Sequence, residues 1–510
     1  MTNTSFFIDS DVPKNTMNQA NKGSKKGQDK KSNLGLTVTK EENFSEWFTQ
    51  LIQKSELMDY SPVSGCYILR PRSYFIWEEI RTFLDAKIKA DGVENCYFPM
   101  FIPESLLKKE EDHVEGFAPE VAWVETGGHT KLKERLAIRP TSETIMYDSY
   151  AKWIRSHNDL PLRLNQWCNI VRWEFKHCTP FIRLREFLWQ EGHTVFATRT
   201  EAVDEAHKIV GFYVDTFKEL LAVPLLTGKK SDKEKFAGAE FSLSIEALMP
   251  DGKALQAGTS HHLGQNFAKA FDIKFKDKDE KEEFAFQNSW GISIRSLGTM
   301  IMTHSDNKGL VLPPKVAKTQ VVIVPLLFKH AKEEVLAAAE KLFAELKAAG
   351  IRVHLDSRES HSPGFKYNEW ELKGVPIRLE LGPRDLENKK VMMKVRDQDE
   401  KSSVLMADLL TAIPKELESM HERMYTKAKD NLESSIVKAS SKEEVMAAVE
   451  EKKIALVPWC GSSESEIAFK EETGIQSLNA PFDQAELPAG TKCFLTGNKA
   501  VRWHLFGKSY

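Results

Sequence analysis

Long apolar stretches are missing from this chain of 510 residues, and so is an excess of either charge. The best apolar run, 321–328, is too short to span a bilayer and contains Pro325, so no membrane-embedded segment is expected. The first forty residues hold no apolar core of the length a secretory signal needs, and the expected location is the cytoplasm. Cysteine is sparse: Cys66, Cys96, Cys168, Cys178, Cys460 and Cys493 stand apart without a paired framework, as free thiols do in a reducing compartment. With a formal net charge of −3, global basicity does not advertise nucleic acid, so an RNA partner would have to be met by local basic patches. The sequence also lacks internal repeats, a P-loop and a dinucleotide fingerprint. An ATP-using enzyme would therefore need a different nucleotide site.

What is present is length and periodicity. The chain is too long for one core and suggests roughly three domains. Residues 1–42 are polar, with Lys22, Lys25, Lys26, Lys30 and Lys31, and read as a disordered basic tail. From 43 to 315 helices and strands alternate. Phe75, Ile76, Ile80, Phe83, Leu84 and Ile88 recur at a helical period over 74–89, Gly92 stops that helix, and Cys96-Tyr97-Phe98-Pro99 reads as a strand ending on proline. Pro313-Pro314 mark a linker. Beyond it, a β-branched run at 320–326, a helical pattern at 330–349, and the segments 351–355, 364–373 and 375–381 predict a βαβαβ unit over 316–413. Residues 414–510 read as a third unit: a charged helical stretch, a strand at 454–458 and a turn-rich end.

Four segments carry residues suited to chemistry. In Val171-Arg172-Trp173-Glu174-Phe175, an arginine and a glutamate two apart on a strand would face one side, the first able to clamp an anion and the second to accept from an amine. Arg183, Arg185 and Phe187 follow, and a hairpin so equipped could grip phosphate and stack on a base; surface ladders of this composition are also common. Trp290-Gly291-Ile292-Ser293-Ile294-Arg295-Ser296-Leu297-Gly298 would pack strand and helix closely and bring Arg295 to a phosphate, or be a packed glycine turn with a surface arginine. Pro140-Thr141-Ser142-Glu143 offers acceptors for an ammonium group, and equally starts an ordinary helix. Trp189-Gln190-Glu191-Gly192-His193 and Gly258-Thr259-Ser260-His261-His262 match no standard zinc spacing, and no metal site is expected from them.

Taken in order, these segments resemble the prolyl-tRNA synthetase family of the eukaryotic and archaeal type, over about 43–510. Of the three class II motifs, the first is similar to 74–103, the second to 171–187 and the third to 291–297. Arg139-Pro140-Thr141-Ser142-Glu143, Trp189-Gln190-Glu191-Gly192-His193, Gly258-Thr259-Ser260-His261-His262-Leu263-Gly264-Gln265-Asn266-Phe267 and Leu505-Phe506-Gly507-Lys508-Ser509-Tyr510 carry the proline-type likeness. The resemblance implies an α/β fold with an α+β catalytic core, an antiparallel sheet flanked by helices, followed by an α/β anticodon-binding domain and a small C-terminal α/β domain. It implies ligation of L-proline to its tRNA with ATP and Mg²⁺, in a homodimer built on the first motif and without an editing domain between the second and third.

By that likeness Arg172 and Arg295 are catalytic. Arg172, Glu174, Arg183, Phe187, Gln256, Thr259, Ser293 and Arg295 bind ATP. Thr141, Glu143, Arg172, Trp189, Glu191, His193 and His261 bind proline, whose secondary ammonium has two N–H donors that Thr141 and Glu143 could accept. Lys366, Arg378 and Glu380 are the anticodon candidates. Retention of Arg172, Glu174 and Arg295 argues against a catalytically silent relative. Two departures stand out. The related C-terminal domain often binds zinc through four cysteines, whereas Cys460 and Cys493 are here accompanied by Ser465 and Leu495, so structural zinc is not expected. Leu184 stands where a polar threonine is usual, which removes a nucleotide contact there.

Overall fold

The computed structural model describes residues 35–111, 120–174 and 178–510. Phe175 and most of the basic tail lie outside these residues. The end of the segment read as tail does not behave as one. Leu36 and Val38 pack on the main core, and Lys40 Nζ donates to the carbonyls of Met302 and Ser305 at 3.2 and 2.7 Å. Thr37 N also donates to Gln50 Oε1 at 2.9 Å and Lys40 N to Asn307 Oδ1 at 2.7 Å, so polar bonds and apolar packing together hold the segment.

The central element is a twelve-stranded sheet. Its catalytic half aligns Leu162–Val171, Glu186–Phe196, Phe286–Ser293, Lys253–Gly264 and Phe241–Leu248, each antiparallel to its neighbour. One face is covered by helices Phe44–Lys54, Pro71–Ala90 and Arg199–Asp215, through Trp47, Phe48, Leu51, Ile80, Leu84 and Ile209. Pro71 opens the second of these at N1, where its missing N–H costs nothing, and Gly92 follows its end at φ +85°. A capping box of Thr198 and Glu201 opens the third. The strand expected over Cys96–Pro99 is instead Glu94–Asn95, paired with Leu164 and Asn165. Cys96 and Phe98 leave the ladder but keep their N–H groups bonded, to Asn165 O and Gln166 Oε1.

Residues 187–291, between the second and third motif segments, are strands of this sheet, the helices Arg199–Asp215 and Asn266–Phe271, and the small hairpin of Lys274–Lys276 and Glu282–Phe284.

The βαβαβ unit forms as read. Val353–Leu355, Val321–Pro325 and Ile377–Leu381 are parallel, and Lys390–Val395 and Lys401–Leu405 extend the sheet antiparallel. Helices Lys332–Ala348 and Pro363–Leu372 are its crossovers, and Val321, Ile323, Leu342, Ile377 and Leu379 fill its own core. The boundary expected at 413/414 falls inside helix Leu409–Ser434, which carries Pro414 near its start. The third unit is not a separate body. Its strands Ile436–Lys438, Ile454–Trp459 and Arg502–Ser509 continue the catalytic sheet, because Lys508 and Ser509 pair in parallel with Lys253 and Ala254.

Candidate active site

Side chains alternate along a strand, so residues two apart share a face. On Glu186–Phe196 that face presents Trp189, Glu191 and His193. The register sets Ser293 beside Trp189, Gly291 beside Glu191 and Ser289 beside His193. One strand further, Thr259 lies opposite Gly291 and His261 opposite Ser289. The alternating pattern of three separate segments thus converges on one patch of sheet, and a cavity of about 320 Å³ stands over it. Thr141, Glu143, Arg172, Phe187, Trp189, Glu191, His193, Gln256, Thr259, His261, Ser293 and Arg295 all line this cavity. Glycine at 291 is required by packing, since a Cβ there would sit 2.7 Å from Gln190 O.

One end is cationic. Arg295 is the first residue of helix Arg295–His304, and its guanidinium is fixed by Ile182 O and Gln256 O at 3.1 Å each. Burial, then the charge of Arg172, pushes its pKa down to about 10, so it remains charged at neutral pH. Gly298 lets this helix close on the loop, because a Cβ would meet Ile182 Cδ1 at 2.6 Å. Arg172 Nε donates to Pro140 O at 3.0 Å, and its guanidinium lies 5.3 Å from the Trp189 ring and 5.8 Å from that of Phe187.

The same-side argument for Arg172 and Glu174 fails, because the strand ends at Val171. Arg172 turns into the cavity, whereas Glu174 is exposed and neither it nor Arg183 is among the cavity's lining. The charge of Arg183 contributes to lowering the pKa of Arg295. Leu184, the departure from threonine, is buried in the main core at 7% exposure.

The other end is anionic. Glu191 is 2% exposed; its carboxylate accepts from Ser142 Oγ at 2.5 Å, Ser142 N at 3.1 Å and Gln166 Nε2 at 3.0 Å, and meets His193 Nε2 at 3.0 Å. Burial opposes its ionisation, but His193 and these donors outweigh burial and hold its pKa below the usual range. Burial likewise opposes charge on His193, and Glu143 and Glu191 outweigh it, raising the imidazole's pKa. His193 Nδ1 faces Tyr147 Oη at 3.2 Å. The Thr141 hydroxyl donates to Glu143, leaving the threonine oxygen free to accept. His261 is different: burial, then Lys230 and His193, pushes it down to about 3, so it is neutral, with Ser242 Oγ 2.7 Å from its Nδ1.

Sequence reading missed Lys230, Glu234, Phe236 and Trp290, which also line the cavity. Lys230 follows strand Leu226–Lys229 in a lysine-rich segment whose composition signals only solvent. Its Nζ is 3.4 Å from Glu246, a carboxylate 2% exposed whose pKa burial raises. Of the anticodon candidates, Arg378 donates to Glu380, with its guanidinium 4.2 Å from the Tyr367 ring. Lys366 and Glu380 are both buried, Glu380 at 6% exposure. Lys366 is 3% exposed, and its ammonium donates to Asp356 O.

Near the C-terminus, Cys460 Sγ lies 3.5 Å from Thr496 Oγ1 and Cys493 is buried. Ser465 lies in the first turn of helix Ser463–Thr473, which Ser462 caps, its hydroxyl donating to Ser462 O, and Leu495 packs in the C-terminal core. Among the described residues, the group of three or more metal-capable side chains within ligating reach is Glu143, Glu191 and His193. Their mutual bonds already occupy much of that set.

An antiparallel sheet with one arginine on a hairpin loop and another opening the helix behind it, both over a single cavity, defines a class II aminoacyl-tRNA synthetase core. Comparison with known proteins agrees. The chain matches the tRNA synthetase class II core domain (G, H, P, S and T) over 123–304, an anticodon binding domain over 320–416, and the prolyl-tRNA synthetase C-terminal family over 442–510. It is 50% identical to the cytoplasmic proline–tRNA ligase of Arabidopsis thaliana, covering 95% of this chain and 93% of that one. It is 47% identical to the bifunctional glutamate/proline–tRNA ligase of Mus musculus over 95% of its own length, but spans 34% of that longer protein. The crystal structure of prolyl-tRNA synthetase from Cryptosporidium parvum with halofuginone and AMPPNP superposes with a TM-score of 0.90 at 49% identity, covering 94% of this chain and all of that one. The chain belongs to the proline–tRNA ligase family.

Proposed function

We propose that this chain activates L-proline with ATP to prolyl-adenylate and pyrophosphate, and then transfers proline to the 3′ end of its tRNA. The observation that carries this reading is a single cavity with arginines at one end and a carboxylate–histidine set at the other. The proline ammonium meets Glu143 and the Thr141 oxygen, with Glu191 orienting His193 behind them. Trp189 and Phe236 flank the ring. The proline carboxylate then faces Arg172, which also takes the α-phosphate. The carboxylate oxygen attacks the α-phosphorus, the bond to the β-phosphate oxygen breaks, and Arg172 and Arg295 stabilise the charge that spreads onto the phosphoryl oxygens. No protein nucleophile is needed, and positioning supplies the rest. Phe187 stacks on adenine, and Gln256, Thr259 and Ser293 line the nucleotide. Arg183 and Glu174 lie outside the cavity's lining, and their loop would bring them to the phosphates and to adenine. The terminal ribose hydroxyl of tRNA next attacks the adenylate carbonyl and AMP leaves.

The cationic end also fits a Mg²⁺ that arrives on the triphosphate. Gln256 and Thr259 offer neutral oxygens, and the buried carboxylate of Glu246 on the neighbouring strand lies 3.4 Å from Lys230. When bound, the ion offsets phosphate charge. We assign 43–315, with the packed segment from 35, to catalysis, and the five-stranded unit to anticodon binding through Arg378 and Glu380 beside Tyr367. A second copy of the chain would cover the exposed Tyr97, Phe101 and Trp153 near the first motif; light scattering of the purified chain would read a dimer, and a monomer at micromolar concentration would refute it. No described helix is long and apolar enough to cross a membrane, and we place the enzyme in the cytoplasm, as the Arabidopsis relative's name does for that protein.

The test is exchange of labelled pyrophosphate into ATP without tRNA. Proline should drive it; alanine should drive it weakly but measurably, because each missing methylene changes discrimination by only about 1–3 kcal/mol. Absence of proline-dependent exchange would refute the reading.

A further inference from the structure

The cavity wall formed by residues 230–236 is tied to two other parts of the chain. Lys230 N donates to Ser242 O, and Phe236 N to Ser242 Oγ at 2.9 Å, which anchors the two ends to strand Phe241–Leu248. The turn between them is organised by Ser231. Its hydroxyl accepts from Glu234 N at 3.1 Å and its carbonyl from Lys235 N at 3.0 Å. Ser231 is fully buried, and its hydroxyl proton goes to a residue of the C-terminal unit: Glu466 Oε1, at 2.9 Å. Glu466 is 1% exposed, on helix Ser463–Thr473; Ser477 Oγ donates to the same oxygen, and Glu466 Oε2 has no hydrogen-bond partner.

A carboxylate in this setting is costly to bury, and its two hydroxyl donors offset that only in part. A neutral residue of similar size would fold the C-terminal unit more cheaply. What the carboxylate adds is a strong acceptor that fixes the Ser231 hydroxyl and leaves its lone pair aimed at Glu234 N. Downstream of that bond, Phe236 stacks on His261 at 4.7 Å with 28° between the ring planes, and Glu234 enters the cavity wall. Lys470, one turn beyond Glu466, meets Glu234 at 3.0 Å, a half-exposed pair that adds little by itself.

From this geometry we infer that Glu466, acting through Ser231, is a positioning residue for the amino-acid end of the cavity: the C-terminal unit sets the wall that closes on the substrate's ring. The inference rests on the proposed activity for its kinetic test, but its structural link can be read without it. In the full-length chain, Glu466→Ala should raise the KM for proline about tenfold while kcat and the KM for ATP stay within about twofold, because the turn that Ser231 organises carries Phe236, which flanks the amino acid, whereas Lys230 at its start is held separately by Ser242 and Glu246. Glu466→Gln, which keeps an acceptor oxygen for Ser231, should recover most of the loss. Lys442→Ala, which breaks a surface pair with Glu472 on the same unit, serves as the control and should match the parent. Independently of activity, hydrogen–deuterium exchange of the amides of Glu234, Lys235 and Phe236 should be faster in Glu466→Ala, with strand Lys253–Gly264 unchanged. Unaltered exchange in 230–236, or a fall in kcat with the proline KM unmoved, would overturn the assignment. If the parent enzyme failed to activate proline while Glu466→Ala still loosened 230–236, the activity reading would fall and the positioning link would stand.

Discussion

The anticodon-binding unit and the C-terminal unit follow the catalytic core in the same chain and use the same kinds of strand and helix, yet they attach to it differently. The former has its own five-stranded sheet and its own core of Val321, Ile323, Leu342, Ile377 and Leu379. Its contact with the catalytic part includes discrete side-chain bonds such as Arg396 with Asp306 at 2.6 Å. The latter shares a sheet with the catalytic part, through Lys253–Lys508 and Ala254–Ser509, through Ala480 and Pro481 against Lys229 and Gly228, and through the buried bond from Ser231 to Glu466. A unit with its own sheet can change without disturbing the cavity. A unit that completes the catalytic sheet cannot, and its sequence is constrained by chemistry it does not touch.

The largest effect that sharpens this contrast belongs to the catalytic sheet itself. Arg295→Ala should lower proline-dependent pyrophosphate exchange by about 10²–10³-fold, the loss typical when a charge aimed at the transition state is removed; single-turnover adenylate formation would measure it. Next comes a change confined to the anticodon unit. Lys366→Ala leaves the buried Asp356 without its ammonium partner, though Arg358 and Trp370 remain. It should cost that unit about 1–3 kcal/mol, visible as an earlier calorimetric transition, while exchange activity persists. Arg378→Ala should raise the KM for tRNA about tenfold and leave tRNA-free exchange alone; a parallel loss of exchange would show that the two sheets are coupled after all. The smallest expected effect is that of a chelator. Metal analysis should find less than about one zinc per chain, and melting should be unmoved, since a structural site needs about four ligands.

Much of this could be read before any coordinates. Helix Pro71–Ala90 and the βαβαβ order follow from periodicity, and the strand residues Trp189, Glu191, His193, Thr259, His261 and Ser293 reach the cavity because a two-residue alternation fixes their face. Reading failed where tertiary pairing decides. Arg172 and Glu174 were assigned one face on a strand that stops at Val171. Lys366 looked like a surface lysine because burial of an ammonium depends on Asp356, ten residues away and on a different element. Lys230 and Phe236 carry no period at all; their place is set by Ser242 and, through Ser231, by Glu466, 235 residues further along the chain.

The most direct test of the account compares tRNA-free, proline-dependent pyrophosphate exchange in two altered chains, one ending at Val501 and one carrying Lys366→Ala. The first lacks strand Arg502–Ser509, which joins the C-terminal unit to the catalytic sheet, and retains every residue that lines the cavity. The second weakens only the anticodon unit. The account predicts that exchange is lost in the first and kept in the second. Exchange by the shortened chain at the rate of the full-length enzyme would contradict it.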